Sequence, residues 1–220
     1  MMKCKCVLFD LDGTITDSGP GIKNSFRYAF KEMQDDTIDL DDLNRFIGPP
    51  LKYSFANICG YDDEKADRAV KSYRTYYREK GIFENTVYDG VRELIIKLHN
   101  ANIKVCLATS KPEIFARQIL DHFELTEYFD VIVGSGMDEL GSGKAPIVKA
   151  AAEQSGADHK EIVMIGDRLH DILGAKENNL TSIGVLYGYG SREELEEVGA
   201  DYIVTTIDEL EELLFSELLV

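Results

Sequence analysis

Short, wholly apolar segments alternating with helical ones constrain this chain most. Cys6-Val7-Leu8-Phe9 and Ile162-Val163-Met164-Ile165 offer no polar side chain to water. A strand of that kind is buried on both faces, which is the mark of a parallel sheet covered by helices. From about residue 86 the periodicity switches repeatedly. It predicts helices over 90–100, 112–123, 145–154 and 171–178. It predicts strands over 104–108, 130–133, 162–165, 182–186 and 202–204. Ser191 with Glu194, and Thr206 with Glu209, have the spacing of capping boxes before the last two helices.

Between the first strand and residue 86 the pattern is helical only. A helix starts near Pro20, capped by Asp17 or Ser18, with Ile22, Phe26, Ala29, Phe30 and Met33 on its apolar face. Leu40, Leu43 and Phe46 predict a second helix, which Gly48-Pro49-Pro50 breaks. A short helix resumes over 51–58, and the longest runs over 62–80, with Gly81 as its stop. The spacing of Tyr73, Tyr76 and Tyr77 suits the core of that helical stretch. The expected organisation is therefore an α/β core of residues 1–15 and 86–220, interrupted by an all-helical insert over 16–85 that serves as a lid.

The 40 acidic and 24 basic residues give a net charge of −16, which disfavours nucleic acid and anionic membranes as partners. The start has neither the apolar stretch nor the small-residue cleavage site of a signal peptide, so a cytoplasmic location is expected. Cys4 and Cys6 share one face of the first strand, where a disulfide between them is geometrically implausible. With Cys59 and Cys106 they are expected as reduced thiols.

Ligands of an open parallel sheet bind beyond the carboxyl ends of its strands. The first strand ends in Asp10-Leu11-Asp12-Gly13-Thr14. Two carboxylates two residues apart are costly to hold together unless a cation or a proton shares them. That is the chemistry of magnesium-dependent phosphoryl transfer, with one acid attacking phosphorus and the other moving a proton. The strand over 104–108 leads into Thr109-Ser110-Lys111, a source of hydroxyl donors. Gly141-Ser142-Gly143-Lys144 opens a later helix and supplies a cation, without the spacing of a Walker loop. The strand over 162–165 ends in Gly166-Asp167, with Asp171 four residues on.

In these motifs the sequence resembles the haloacid dehalogenase superfamily of phosphatases. The resemblance spans the chain, because the helical insert falls where that superfamily places its first type of cap. Asp17-Ser18, Ile47-Gly48-Pro49-Pro50-Leu51 and Ser110-Lys111-Pro112 draw it toward the phosphoglycolate-phosphatase-like group. Ala145 stands where that group often has a proline directly after the lysine.

The resemblance implies a Rossmann-like core with a helical C1-type cap, and a division of labour among residues. Asp10 would be the nucleophile, and Asp12 the acid that protonates the leaving alcohol and then activates water. Mg2+ would bind Asp10, the backbone carbonyl of Asp12, and Asp167, with Asp171 supporting it from behind. Thr109, Ser110 and Lys144 would hold the phosphoryl oxygens. Arg45, Gly48, Pro49 and Lys52 are the cap positions from which substrate would be chosen. His170, inside the last motif, fits a surface or packing role. The expected partner is a small phosphorylated metabolite, and the protein a monomer or homodimer.

A 5'-nucleotidase or a sugar phosphomutase of the same superfamily shares these motifs. A phospho-receiver signalling domain also gathers acids, a threonine and a lysine on such a sheet. It places its phosphorylated aspartate after the third strand, so the order of motifs here disfavours it.

Overall fold

The computed structural model describes residues 4–47, 51–136 and 143–218. Its contacts divide the chain into two compact units, Met1–Asp17 with Val87–Val220, and Ser18–Thr86. Among the described residues no helix is long and apolar enough to cross a membrane.

The first unit is built on the central strand β1 (Cys6–Phe9), every residue of which is buried. Two short strands, β2 (Thr16–Asp17) and β3 (Thr86–Val87), form a separate two-stranded sheet. The main sheet adds β4 (Lys104–Pro112), β5 (Val131–Ser135), β6 (Ile162–Gly166), β7 (Thr181–Val185) and β8 (Tyr202–Val204). All pair in parallel, in the order β5-β4-β1-β6-β7-β8. Phe9 is level with Leu107 on one side and Ile165 on the other. The carboxyl ends of β1, β4 and β6 therefore open onto one edge, at the point where the chain order reverses.

Cys6, Leu8, Cys106, Ala108 and Met164 form one apolar cluster with Val148, Ala151 and Ala152 of a covering helix. The cysteines are free, and Cys6 Sγ lies 3.7 Å from Cys106 Sγ.

The second unit is helical. Helix α1 (Gly19–Glu32) and the short α2 (Leu51–Tyr53), which continues as a π turn over Ser54–Ile58, precede α3 (Asp63–Glu79). Phe26 is wholly buried at the centre, its ring 4.7–5.9 Å from those of Phe30, Phe46, Phe55 and Tyr73. Tyr73 and Tyr77 are buried in this unit, and Tyr76 is half-buried with its hydroxyl on Glu84.

Three local expectations fail for identifiable reasons. The second helix is only a 3-10 turn, Asn44–Phe46, and Leu40 is exposed. Asp35 and Asp39 accept the backbone N–H groups of Thr37 and Asp41, so side-chain turns replace the helical ladder. Ser18 stands at the N-cap of α1 but makes no capping hydrogen bond, and its buried Oγ has no hydrogen-bond partner among the described residues. The capping boxes are half made: Ser191 and Thr206 accept from Glu194 and Glu209, while the two glutamates turn elsewhere. Helix α3 ends as expected before Gly81, which opens a 3-10 turn. The break at Gly48-Pro49-Pro50 lies outside the described residues.

Because one ring sits at the centre of the second unit, Phe26→Ala should cost about 3–5 kcal/mol. Urea unfolding followed by circular dichroism measures it. A loss below about 1 kcal/mol would mean that the cluster collapses around the gap.

Candidate active site

Asp10 follows β1 directly and is 8% exposed, its backbone N–H donating to Ile165 O at 2.9 Å. The core helices continue the numbering as α4 (Val91–Asn100), α5 (Glu113–His122), α6 (Ala145–Ser155), α7 (Leu169–Glu177), α8 (Arg192–Glu197) and α9 (Ile207–Leu213), and Lys144 is the N-cap residue of α6. Its Nζ lies 2.6 Å from Asp10 Oδ1 and 2.7 Å from Asp171 Oδ1. The other oxygen of Asp171 accepts the backbone N–H of Arg168 at 3.1 Å. One carboxylate thus closes the first turn of α7 and aims the lysine at Asp10.

Asp167 is fully buried. Its Oδ2 accepts the Tyr189 N–H at 2.8 Å, and Thr14 Oγ1 lies 3.5 Å from Oδ1. Gly13 turns the chain with φ +87°, and a Cβ there would stand 2.1 Å from Asp167 Oδ2. A Cβ on Gly188 would stand 2.2 Å from Gly13 O. The turn after β1 and the loop after β7 can close on Asp167 only as glycines.

Carboxylate oxygens of Asp10, Asp167 and Asp171 all lie within 4.8 Å of one another. Burial, then the charges of Asp171 and Asp10, push the Asp167 carboxyl well above its ordinary range. Burial also pushes Asp10 up, against the pull of Lys144. Burial alone would lower the Lys144 ammonium, but Asp10 and Asp171 reverse this and hold it above an ordinary lysine. Lys144 is therefore firmly charged, and the carboxylates exceed the positive charge beside them.

Asp12 is set differently. Its Oδ2 accepts from Lys111 Nζ at 2.7 Å, while its Oδ1 is buried with no hydrogen-bond partner among the described residues. Lys111 sits where the pairing of β4 with β5 shifts register between Ala108 and Pro112. Thr109, buried in the same irregular stretch, accepts the Lys111 N–H at 3.2 Å and keeps its own hydroxyl proton for another acceptor. Ser110 is exposed, with its carbonyl accepting from Ser135 Oγ.

Two sequence candidates belong to the other unit and are engaged there: Arg45 lies over the Phe46 ring and 4.0 Å from Asp42, and Lys52 is 2.8 Å from Asp67. Gly48, Pro49, Gly141 and Ser142 lie outside the described residues. His170 is exposed, in a surface groove with Lys149 and Leu173. Sequence reasoning gave no role to Lys111, nor to the loop Tyr187-Gly188-Tyr189-Gly190. In that loop Tyr187 Oη donates to Thr14 O and Tyr189 Oη to Asp17 Oδ1. Alternating glycines straight after a strand were the available signal.

Asp10, Asp12, Asp167 and Asp171 face two ammoniums, Lys111 and Lys144, which leaves an excess of two negative charges when all are ionised. Hard carboxylate oxygens with that excess fit a divalent cation of the magnesium type.

The sequence profile of the haloacid dehalogenase-like hydrolases matches residues 7–185. A 5'-nucleotidase of Pseudomonas aeruginosa is 42% identical over 86% of this chain and 86% of its own length. Tyrosine-protein kinase PtkA of Mycobacterium tuberculosis is 35% identical over 94% of this chain and 72% of its own. The crystal structure of a predicted phosphatase from Clostridium acetobutylicum superposes with a TM-score of 0.89 at 46% identity, covering 97% of this chain and 99% of that one.

Because burial and the charges of Asp171 and Asp10 disfavour the Asp167 carboxylate, Asp167→Asn should leave the melting temperature of metal-free protein unchanged or raise it by up to ~2–4 °C. The amide keeps an acceptor for Tyr189 N–H and loses the repulsion. The same variant should lose the thermal shift that a divalent cation gives the wild type. A fall of several degrees without metal would show that the carboxylate is needed for folding itself.

Proposed function

Because the chain belongs to the haloacid dehalogenase-like hydrolases, we propose that it is a magnesium-dependent phosphatase that hydrolyses small phosphate monoesters through an aspartyl-phosphate on Asp10. One observation carries the reading: the ends of β1, β4 and β6 and the start of α6 deliver two separate acids, a hydroxyl and a buried lysine to one edge of the sheet.

The chemistry assigns the residues as follows. Lys144 holds Oδ1 of Asp10 and so orients the carboxylate that attacks phosphorus. As the bond from phosphorus to the ester oxygen breaks, Asp12 gives that oxygen a proton, and the alcohol leaves. Asp12, now ionised, takes a proton from water, which attacks the aspartyl-phosphate and frees inorganic phosphate and Asp10. Thr109, the Ser110 amide and Lys144 stabilise the phosphoryl oxygens as charge moves. Bound by Asp10, Asp167 and the backbone carbonyl of Asp12, magnesium would supply positive charge against the phosphoryl oxygens. Asp171 supports this set through Lys144.

Two substrate classes fit. The resemblance of the motifs favours a small phosphoglycolate-like ester. The 42% identity with a 5'-nucleotidase favours nucleoside monophosphates. The helical insert is the proposed cap, and Arg45 and Lys52 are its proposed specificity residues, where changes should alter substrate choice and leave the phosphoryl chemistry intact.

The test is release of inorganic phosphate from a panel of monoesters with magnesium. Chelation should abolish release and added magnesium should restore it. Asp10→Asn should lower kcat by at least ~10³, and full activity in this variant would end the covalent reading. Phosphate found on an acceptor rather than in solution would replace hydrolysis by transfer. Arg45→Ala and Lys52→Ala should reorder kcat/KM among the esters. An unchanged order would move substrate choice to the core loops.

A further inference from the structure

We infer that Lys111 is the positioning residue for the acid Asp12, and that its ammonium decides which oxygen of that carboxylate meets the leaving group. The inference rests on the phosphatase reading above. Asp12 has two oxygens with different surroundings. Oδ2 is held by Lys111 Nζ at 2.7 Å, and the lysine side chain is only 7% exposed. Oδ1 is buried with no hydrogen-bond partner among the described residues. A buried carboxylate oxygen left without a hydrogen bond is costly, and such costs gather where a substrate atom completes the set.

The lysine cannot drift from this task without loss. It sits in the stretch of β4 where pairing with β5 breaks, and its own N–H is tied to Thr109 Oγ1 at 3.2 Å. The backbone at residue 111 is thereby fixed relative to a hydroxyl proposed to hold the phosphoryl group. A single short segment would then set both the phosphoryl oxygens, through Thr109, and the proton donor, through Lys111. Lys144 cannot substitute, because it is held between Asp10 and Asp171.

In the step concerned, the ester bond's electron pair goes to the departing oxygen, and the proton on Asp12 Oδ1 goes to the same oxygen. The carboxylate left behind keeps Lys111 as its counter-ion on Oδ2. With Lys111 shortened or neutral, Asp12 can turn about its side-chain torsions, and either oxygen can face the ester or neither.

The readout is leaving-group dependence. A p-nitrophenolate departs without a proton, whereas an alkoxide needs one. The value of kcat/KM reports only steps up to departure of the alcohol, so Asp12's later work on water does not enter. Lys111→Met should lower kcat/KM for an alkyl phosphate at least tenfold more than for p-nitrophenyl phosphate, a part of the ~10²–10⁴-fold that a general acid supplies. Lys111→Arg, which restores a cationic donor, should recover much of the alkyl rate. Equal losses on both esters, no loss on either, or an arginine variant no better than methionine would overturn the role. A wild type inactive on both esters would instead overturn the phosphatase reading, and the role of Lys111 with it.

Discussion

A buried ammonium between two carboxylates organises the core of this protein. Lys144 reaches Asp10 after β1 and Asp171 in α7, and both distances are those of charge-assisted hydrogen bonds. Each of the three groups would be expensive to bury alone. Together they tie the start of α6 to the end of the central strand and to the first turn of α7. The triad still leaves Asp167 unanswered, and Asp12 needs a second lysine. The site is therefore stable as a set and short of positive charge as a whole. A cation that also attracts a phosphate dianion meets both conditions at one place.

The sheet makes that set possible by register. Since Phe9, Leu107 and Ile165 lie level, the residues that follow them emerge side by side. Each strand then leaves the sheet differently. β1 turns sharply at Gly13, β4 loses register with β5 over Ala108–Pro112, and β6 passes through Gly166-Asp167 into the capped turn of α7. The three exits differ because each must present a different chemical group, while the strands behind them share one apolar core.

Much of this was legible because the signals are local. Asp10, Asp12, Thr109, Lys144, Asp167 and Asp171 each stand just past an apolar strand or at a helix start, and period and breakers locate those points. What escaped depends on pairs distant in sequence. Lys111 and Asp12 are 99 residues apart, and Tyr189 and Asp167 are 22 apart across one helix and one strand. Neither pairing has a periodic trace. Glu194 shows the same limit from the other side. Its spacing from Ser191 predicts a reciprocal cap, yet its carboxylate binds Arg168 Nε and Leu169 N–H, because a charged partner and a second helix start outbid one local amide. The failed helix near Leu40 is local again, but there aspartates compete for the backbone, and hydrophobic spacing does not register that competition.

The two lysines carry the same charge into the site and hold different acids there. Lys144 has two anionic partners and is buried, so moving it would strand both Asp10 and Asp171. In the proposed reaction it suits the part that stays in place while the phosphoryl group arrives and leaves. Lys111 holds Oδ2 of Asp12, whose Oδ1 has no hydrogen-bond partner among the described residues. In the proposed reaction it suits the part in which a proton passes from protein to alcohol and later from water to protein. Giving each acid its own ammonium separates the two acids, so that Asp10 and Asp12, only two residues apart, do not compete for a single counter-ion. That separation lets one short turn hold the proposed nucleophile and the proposed proton carrier at once.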